Sequence, residues 1–363
     1  MDLFFHRCHP VFSDLMTLAI RFLNPSNFSI SVLRFFCHSS PPAAGMSSLS
    51  TEAVLRHCAK LVPVLSETDH KGTSGRIGIF GGSVEFTGAP YYAGYSALRA
   101  GADLVYVFAA SSASPIIKSY CPELMVIPYL DADEAVIRIS PWTARLHAVL
   151  IGPGMGRHEM VFSNVLKVLD HLKSGPGEQG YYRPLIFDAD GLHFLSHHPQ
   201  ALKDYPGDIY LTPNIVEFNK LVSVIIGHRY QQPTERDLQE LSRAIGKNVT
   251  IVLKGNIDLI ADSSSYFSCD VEGSFRRCGG QGDMLSGILS VFAGWAAIRR
   301  FTNYPPLMDS MSDNVLACFS ACYITRTCNR SAFKKYSRSM LVTDMLKELP
   351  NVFVPFCQPK PIS

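Results

Sequence analysis

His147-Ala148-Val149-Leu150-Ile151-Gly152-Pro153-Gly154-Met155-Gly156 is the stretch that sets the fold. Apolar residues follow His147 without alternation and run straight into a loop built on glycine and proline. A strand that is apolar on both faces needs cover on both faces, which is the mark of a mostly parallel sheet held between helices.

The same unit recurs on either side. Arg76–Phe80 is a short apolar strand ending in Gly81-Gly82. Ala89–Ala102 reads as a helix, opened by Pro90 near its first turn and closed by Gly101, and Leu104–Phe108 as the next strand. On the carboxyl side, Pro184–Phe187 runs into Asp188-Ala189-Asp190-Gly191, and Asp208–Leu211 into Thr212-Pro213-Asn214. Asn248–Leu253 and Asp258–Ile260 flank Lys254-Gly255-Asn256, a hairpin with a glycine turn. Helices are expected at 283–297, 314–327 and 339–349. No repeat is visible. The fold class is therefore α/β, a doubly wound, mostly parallel sheet with helices on both faces, forming one domain over residues 50–355. Ligands of such sheets bind beyond the carboxyl ends of the strands. Gly81-Gly82, Gly152–Gly156, Asp188–Gly191, Thr212–Glu217 and Lys254–Asp258 all fall there and point at one shared site.

Composition narrows the function classes. The chain has 363 residues, with 33 Lys+Arg against 31 Asp+Glu, a formal charge of +2. That near-balance gives no electrostatic footprint for nucleic acid. Hydrophobic residues at 47% and charged residues at 18% fill a core rather than a disordered chain. The charge-free run Met284–Ile298 contains Ser and Gly and falls short of the roughly 20 residues a membrane span needs. None of the ten cysteines forms a CxxC. Cys318 and Cys322 share a helical face without a second ligand pair nearby, so buried thiols in a reducing compartment are expected.

Residues 1–45 differ from the rest. Arg7, Arg21 and Arg34 sit among Phe, Ser and His, and Asp2 and Asp14 are the only acidic residues. The charge-free run between Asp14 and Arg21 is too short for a secretory core. The segment is expected to be a disordered leader resembling a mitochondrial transit peptide, with an unstructured tail as the alternative. Met46 could start a second, cytosolic product, so the expected location is mitochondrial, cytoplasmic or both.

Cys278-Gly279-Gly280-Gln281-Gly282-Asp283-Met284-Leu285-Ser286-Gly287 carries the chemistry. Glycines let backbone amides approach an anion, and the helix that follows adds unpaired N–H groups and a favourable dipole. Asp283 at that helix start fits a plain N-cap or a general base for phosphoryl transfer equally well. The spacing matches neither GxxxxGK[ST] nor GxGxxG, which removes P-loop NTPases and Rossmann dehydrogenases.

Gly280-Gln281-Gly282-Asp283 resembles the GxGD catalytic loop of ribokinase-like enzymes. Around it, in order, stand Lys71-Gly72, Gly75-Arg76-Ile77, Gly81-Gly82, Thr87-Gly88-Ala89-Pro90, Gly152–Gly156, Asp188–Gly191, Leu211-Thr212-Pro213-Asn214 with Glu217-Phe218, Leu253-Lys254-Gly255 and Arg277–Gly280. Together these resemble the ATP-dependent NAD(P)H-hydrate dehydratases, a metabolite-repair family, from about Leu55 to Leu349.

The resemblance implies ATP-dependent dehydration of the S-form of hydrated NADH or NADPH, a lyase reaction releasing ADP and phosphate, with ATP and Mg²⁺ required. It implies Asp283 as the catalytic carboxylate beside the substrate. Two segments are matched to ATP: Lys254, Gly255, Asn256, Ile257 and Asp258, then Gly273, Ser274, Phe275, Arg276, Arg277, Cys278, Gly279, Gly280, Gln281 and Gly282. Gly156 and the run Asn214, Ile215, Val216, Glu217, Phe218, Asn219 and Lys220 are matched to the hydrated dinucleotide. A functional pairing with an NAD(P)H-hydrate epimerase is implied, and a homo-oligomer is left open.

Plainer readings stand beside these. Lys254 also fits a turn residue, and Asn214 with Glu217 fits a helix cap and its capping-box partner. Asp188 and Asp190 fit turn formers or water-mediated Mg²⁺ ligands; no metal ligand is assigned. Arg276 and Arg277 face phosphate or solvent. His193, His197 and His198 have helical spacing without a carboxylate partner and are read as surface histidines. An ordinary small-alcohol kinase of the same fold, or an inactive nucleotide-binding module, is the rival reading.

Overall fold

A computed structural model describes residues 50–358; the expected leader at 1–45 and the start at Met46 lie outside them. Seven strands are parallel: β1 (Arg76–Phe80), β2 (Leu104–Phe108), β3 (Leu124–Ile127), β4 (Ala148–Ile151), β5 (Leu185–Phe187), β6 (Ile209–Leu211) and β7 (Val249–Leu253). Next to β7, β8 (Asp258–Ala261) and β9 (Tyr266–Cys269) add antiparallel, giving the order β3-β2-β1-β4-β5-β6-β7-β8-β9. The Lys254 hairpin is thus present. The order reverses between β1 and β4, where both chain directions leave a crevice at the strand ends.

The described helices are α1 (Thr51–Ala59), α2 (Gly88–Arg99), α3 (Ser114–Tyr120), α4 (Ala135–Thr143), α5 (Glu159–Lys173), α6 (Asp190–His197), α7 (Ile215–Ile225), α8 (Glu235–Ile245), α9 (Gln281–Phe301), α10 (Asp313–Tyr336) and α11 (Val342–Cys357). Strand side chains alternate between two helical layers. Ile77, Ile79, Val107 and Leu150 pack under α2, α9, α10 and α11 with Ile288, Phe292, Phe319 and Leu346. Phe80, Phe108, Ile151 and Phe187 pack on the opposite face with Val165, Phe194, Phe218 and Leu238 from α5 to α8. Continuous apolar strands have cover on both sides, as expected.

The charge-free run of α9 lies in the interior, with Met284 to Ala297 all buried. Among the described residues no helix is long and apolar enough to cross a membrane. Gly287 lets α9 cross α2 closely, since a Cβ there would collide with Ala93 O and Ser96 Oγ. Ser96 Oγ, in turn, donates to Met284 O at 3.2 Å. That crossing fixes the first turn of α9 over the sheet. Cys318 and Cys322 are fully buried free thiols, as their apolar setting suggested.

Candidate active site

The five expected loops meet at the carboxyl ends of the strands through hydrogen bonds. Gly82 N donates to Gly154 O at 3.0 Å, joining the loops after β1 and β4. Gly156 N donates to Asp190 Oδ2 at 3.0 Å, tying the β4 loop to the β5 loop. Asp188, buried at the end of β5, accepts at Oδ1 from Thr212 Oγ1 (2.9 Å) and from Lys254 Nζ (2.7 Å), which brings in the loops after β6 and β7. Ala189 is held at φ 47°, a left-handed conformation that favours glycine and turns Asp188 and Asp190 to different partners. Asp190 Oδ1 accepts from Arg157 Nε at 3.2 Å. Both aspartates therefore do more than form a turn.

The GxGD loop closes this ring. Gly280 is the N-cap of α9 at φ 90°, and a Cβ on it would meet Val342 Cγ1 at 2.7 Å, so only glycine fits. Asp283 is then the third residue of the helix, not its cap. Its carboxylate has no hydrogen-bond partner among the described residues. A Cβ on Gly282 would lie 3.3 Å from Lys254 Nζ and 3.6 Å from Asp188 Oδ2, so the helix start stands directly over the Lys254–Asp188 pair. Burial, then the Asp188 charge, lifts the Asp283 carboxyl to about 7, with Lys254 opposing and Asp190 adding. Burial alone would lower the Lys254 ammonium, but Asp188, Glu217 and Asp283 outweigh it and raise its pKa. Lys254 is a paired cation of the site, not an exposed turn residue.

Beside this centre opens a cleft of about 1080 Å³ lined by both expected nucleotide segments. Lys254, Gly255, Asn256, Ile257 and Asp258 form one wall; Gly273, Ser274, Phe275, Arg277, Cys278, Gln281 and Gly282 form the other. The Asp258 carboxylate faces away into its own turn, accepting from Gly255 N at 2.9 Å and pairing with Arg326 Nε at 2.6 Å. Arg276 turns toward Met340 O (3.4 Å), while Arg277 stays exposed at the cleft. Two organising residues had no signal in the sequence. Arg326 on α10 donates to the carbonyls of Gly255, Asn256 and Val271. Asn329, one turn on, accepts from Ser274 N at 2.6 Å. Both sit inside an ordinary helical run, outside any motif.

A family model described as NAD(P)H-hydrate dehydratase matches residues 77–351. The chain belongs to the NAD(P)H-hydrate dehydratase family. It is 44% identical over 297 residues to the mouse ATP-dependent (S)-NAD(P)H-hydrate dehydratase, covering 81% of this chain and 82% of that one. The human protein of the same name is 42% identical over 303 residues, covering 83% and 84%. The ADP/ATP-dependent NAD(P)H-hydrate dehydratase of Bacillus subtilis, co-crystallized with ATP/Mg²⁺, superposes with a TM-score of 0.61 at 23% identity over 83% of this chain and 97% of that one. A ribokinase-like protein of Enterococcus faecalis superposes at 0.66 with 21% identity, over 84% and 95%. These two likenesses show the ribokinase-like fold.

Within this dehydratase-family site, the segment expected to meet the dinucleotide divides. Asn214 caps α7, accepting at Oδ1 from Val216 N and Glu217 N, while Glu217 Oε2 accepts from Asn214 N at 2.8 Å. The capping box is present, and Asn214 also lines the cleft. Burial raises the Glu217 carboxyl, with Lys254 and the Asn214 amide opposing. Ile215 and Val216 are exposed. Phe218 is 0% exposed and belongs to the core, since it points inward from the first turns of α7. Asn219 spends its amide on Tyr230 O and N, pinning the loop after α7. Neither side chain faces the cleft lined by the nucleotide segments.

Gly156 lies against Ser83, whose buried Oγ has no hydrogen-bond partner among the described residues. The histidines also need correction. His197 is exposed, but His193 and His198 are half-buried because they pack on Phe162 and Phe194. His193 Nδ1 lies 2.8 Å from Lys220 Nζ.

Proposed function

We propose that this chain catalyses the ATP-dependent dehydration of the S-form of hydrated NADH and NADPH, regenerating the reduced cofactor with release of ADP and phosphate. The observation that carries the reading is the Asp283 carboxylate, without a hydrogen-bond partner among the described residues, at the first turn of a helix whose glycine loop borders the nucleotide cleft.

The hydrated cofactor carries a hydroxyl on the carbon next to the ring nitrogen. Hydroxide leaves poorly near neutral pH, whereas phosphate leaves well. Asp283, titrating near 7, takes the proton as the hydroxyl attacks the γ-phosphoryl group. Amides of Gly279 to Gly282 and the Lys254 ammonium stabilise the charge that gathers on the transferring oxygens. The ring nitrogen's lone pair then expels phosphate, and loss of a neighbouring C–H proton restores the dihydronicotinamide.

Among the described residues no group of three or more His, Cys, Asp or Glu side chains forms a metal cage. Mg²⁺ needs none, since with nucleotides it takes one or two carboxylates and completes its shell with phosphates and water. Asp188 Oδ2, which faces Gly282 while Oδ1 is engaged, suits that role, with Asp190 beside it. When bound, Mg²⁺ would neutralise phosphate charge.

The Arg-bearing, Glu-free segment 1–45 supports mitochondrial delivery, and Met46 supports a cytosolic second product. A partner that epimerises the R-form would supply the S-form substrate. The test is a near-ultraviolet trace of the purified protein with S-NADH hydrate, ATP and Mg²⁺. Growth of reduced-nicotinamide absorbance, matched by phosphate release, is expected. A flat trace from a folded, ATP-binding preparation overturns the reading.

A further inference from the structure

A second cavity, of about 310 Å³, opens at the opposite ends of the strands, where β1 and β2 begin. Lys71, Arg76 and Arg145 line it, with Glu178 at its rim and Tyr106 and Met125 on its apolar side. Among the described residues none of the three cations has a carboxylate within 4.0 Å, and none of their side chains makes a hydrogen bond. Three cations against one carboxylate leave the lining at +2. The Lys71-Gly72 and Gly75-Arg76 motif lies here, and nothing at the carboxyl ends of the strands uses it.

The cavity is built by its surroundings. Asp103 Oδ2 accepts from Gly72 N and Ser74 N, both at 2.9 Å, which folds the loop before β1. Gly72 stands at φ 103°, and a Cβ there would collide with the Arg76 guanidinium, so the glycine makes the turn and gives the guanidinium its place. Arg76 N donates to His147 Nδ1 at 2.9 Å. Burial, then the Arg76 charge, lowers the His147 pKa to about 4, so the ring accepts as a neutral group and adds no cation. The Arg145 guanidinium lies over the Trp142 ring at 6.0 Å, and that ring packs on Tyr106 at 5.5 Å. Glu178 N donates to Ala144 O at 2.8 Å and Gln179 Nε2 to Arg145 O at 2.7 Å, which ties the loop carrying Glu178 to the segment carrying Arg145. Like charges gathered round one cavity repel, and an oxyanion between them removes that repulsion.

We propose that this cavity is a second binding site of the protein, for a small phosphate monoester held by Lys71, Arg76 and Arg145. A phosphate monoester carries about −1.5 to −2 near pH 7, which matches the lining, and guanidinium groups take its oxygens in pairs. The volume is at the lower end of small-molecule pockets, roughly 300–1,000 Å³. It admits a short carbon body against Tyr106 and Met125 and excludes a dinucleotide. Glu178, which when ionised only accepts, takes a hydroxyl of that body and disfavours a second phosphate. The length of β1 sets the cavity about 13 Å from the opposite strand ends, so its occupant does not touch Asp283. The site is independent of the dehydratase reading.

The test is calorimetric titration of the full-length protein with glycerol 3-phosphate while ADP saturates the nucleotide cleft. Saturable binding with a Kd of about 1 mM or tighter is expected. Arg145→Gln and Arg76→Gln are each expected to weaken it by about tenfold or more, the loss of charge-assisted hydrogen bonds. Arg145 is exposed, so its variant keeps the fold and decides the matter even where Arg76→Gln does not fold. Succinate, a dianion with its charge divided between two ends, is expected to bind at least about tenfold more weakly than the ester. Absence of saturation by about 10 mM in the wild type overturns the proposal. So does an unchanged Kd in an Arg145→Gln protein of native melting temperature, and succinate binding as tightly as the ester overturns the phosphate assignment. None of these readouts needs turnover, so the result stands apart from that of the dehydratase assay.

Discussion

Gly280 caps α9 and Asp283 sits three residues further on, its carboxylate without a hydrogen-bond partner among the described residues. An aspartate at the cap itself would spend its oxygens on the amides of the first turn. Because a left-handed glycine takes that position, the carboxylate stays available while the helix start supplies the electrostatic setting. Asp283→Asn is the direct consequence. It should keep the fold and leave ATP affinity within about twofold, yet lower turnover by roughly 10²- to 10⁴-fold, the usual worth of a general base. Calorimetric ATP binding beside the absorbance assay separates the two effects, and full turnover in a folded variant removes Asp283 from the mechanism.

The same carboxylate sets the pH dependence. Its pKa of about 7 means that it is protonated, and idle as a base, below neutrality. The kcat/KM for the hydrate should therefore rise with pH through about 7 and level off above. A profile flat from pH 5.5 to 8.5 would assign proton removal elsewhere.

Stability should run the opposite way. A folded pKa raised above the unfolded value means that the folded state holds the proton more tightly, so Asp283 favours folding below about 4 and loses that contribution as pH rises to about 7. The melting temperature of Asp283→Asn minus that of wild type should grow between pH 4.5 and pH 8. A constant difference would show that burial does not set this pKa.

Lys254 lowers the Asp283 pKa against the pull of burial and Asp188. Lys254→Met removes that opposition and leaves buried Asp188 with Thr212 alone. The acid limb of the rate profile should move to higher pH, and the KM for ATP should rise. An unmoved limb would mean that Lys254 binds nucleotide without tuning the base.

How much of this could be read from the chain follows from what each residue answers to. β1 and β2 match the expected bounds because apolar runs ending in glycine report double-faced burial directly. β9, Tyr-Phe-Ser-Cys, is a half-exposed edge strand, and β3 is four residues long; neither carries enough pattern to stand out. The helix at 339–349 begins later and runs further, as α11 from Val342 to Cys357, because the segment before it is a short 3₁₀ turn. Glycines and acids of the strand ends are legible because local backbone geometry demands them. The core packing of Phe218 and the Tyr230 contact of Asn219 are not legible, because a contiguous run on a helix turns its side chains through all directions. Arg326 is invisible in sequence because its partners lie 55 to 71 residues away.

Arg326 yields the last prediction. It pairs with Asp258 Oδ2 and holds three carbonyls of the cleft wall, while both partners' side chains are largely buried, at 13% and 7% exposure. Arg326→Gln removes the charge and leaves Asp258 uncompensated, a loss on the order of 3 kcal/mol. The melting temperature should fall by several degrees, and the KM for ATP should rise as the Gly255–Asp258 turn loosens. The hydrate KM should stay near wild type, since Arg326 and its neighbours on α10 line the nucleotide cleft. Equal rises in both KM values would mean that the two halves of the site move as one body, and that Arg326 supports the whole strand-end ring through β8.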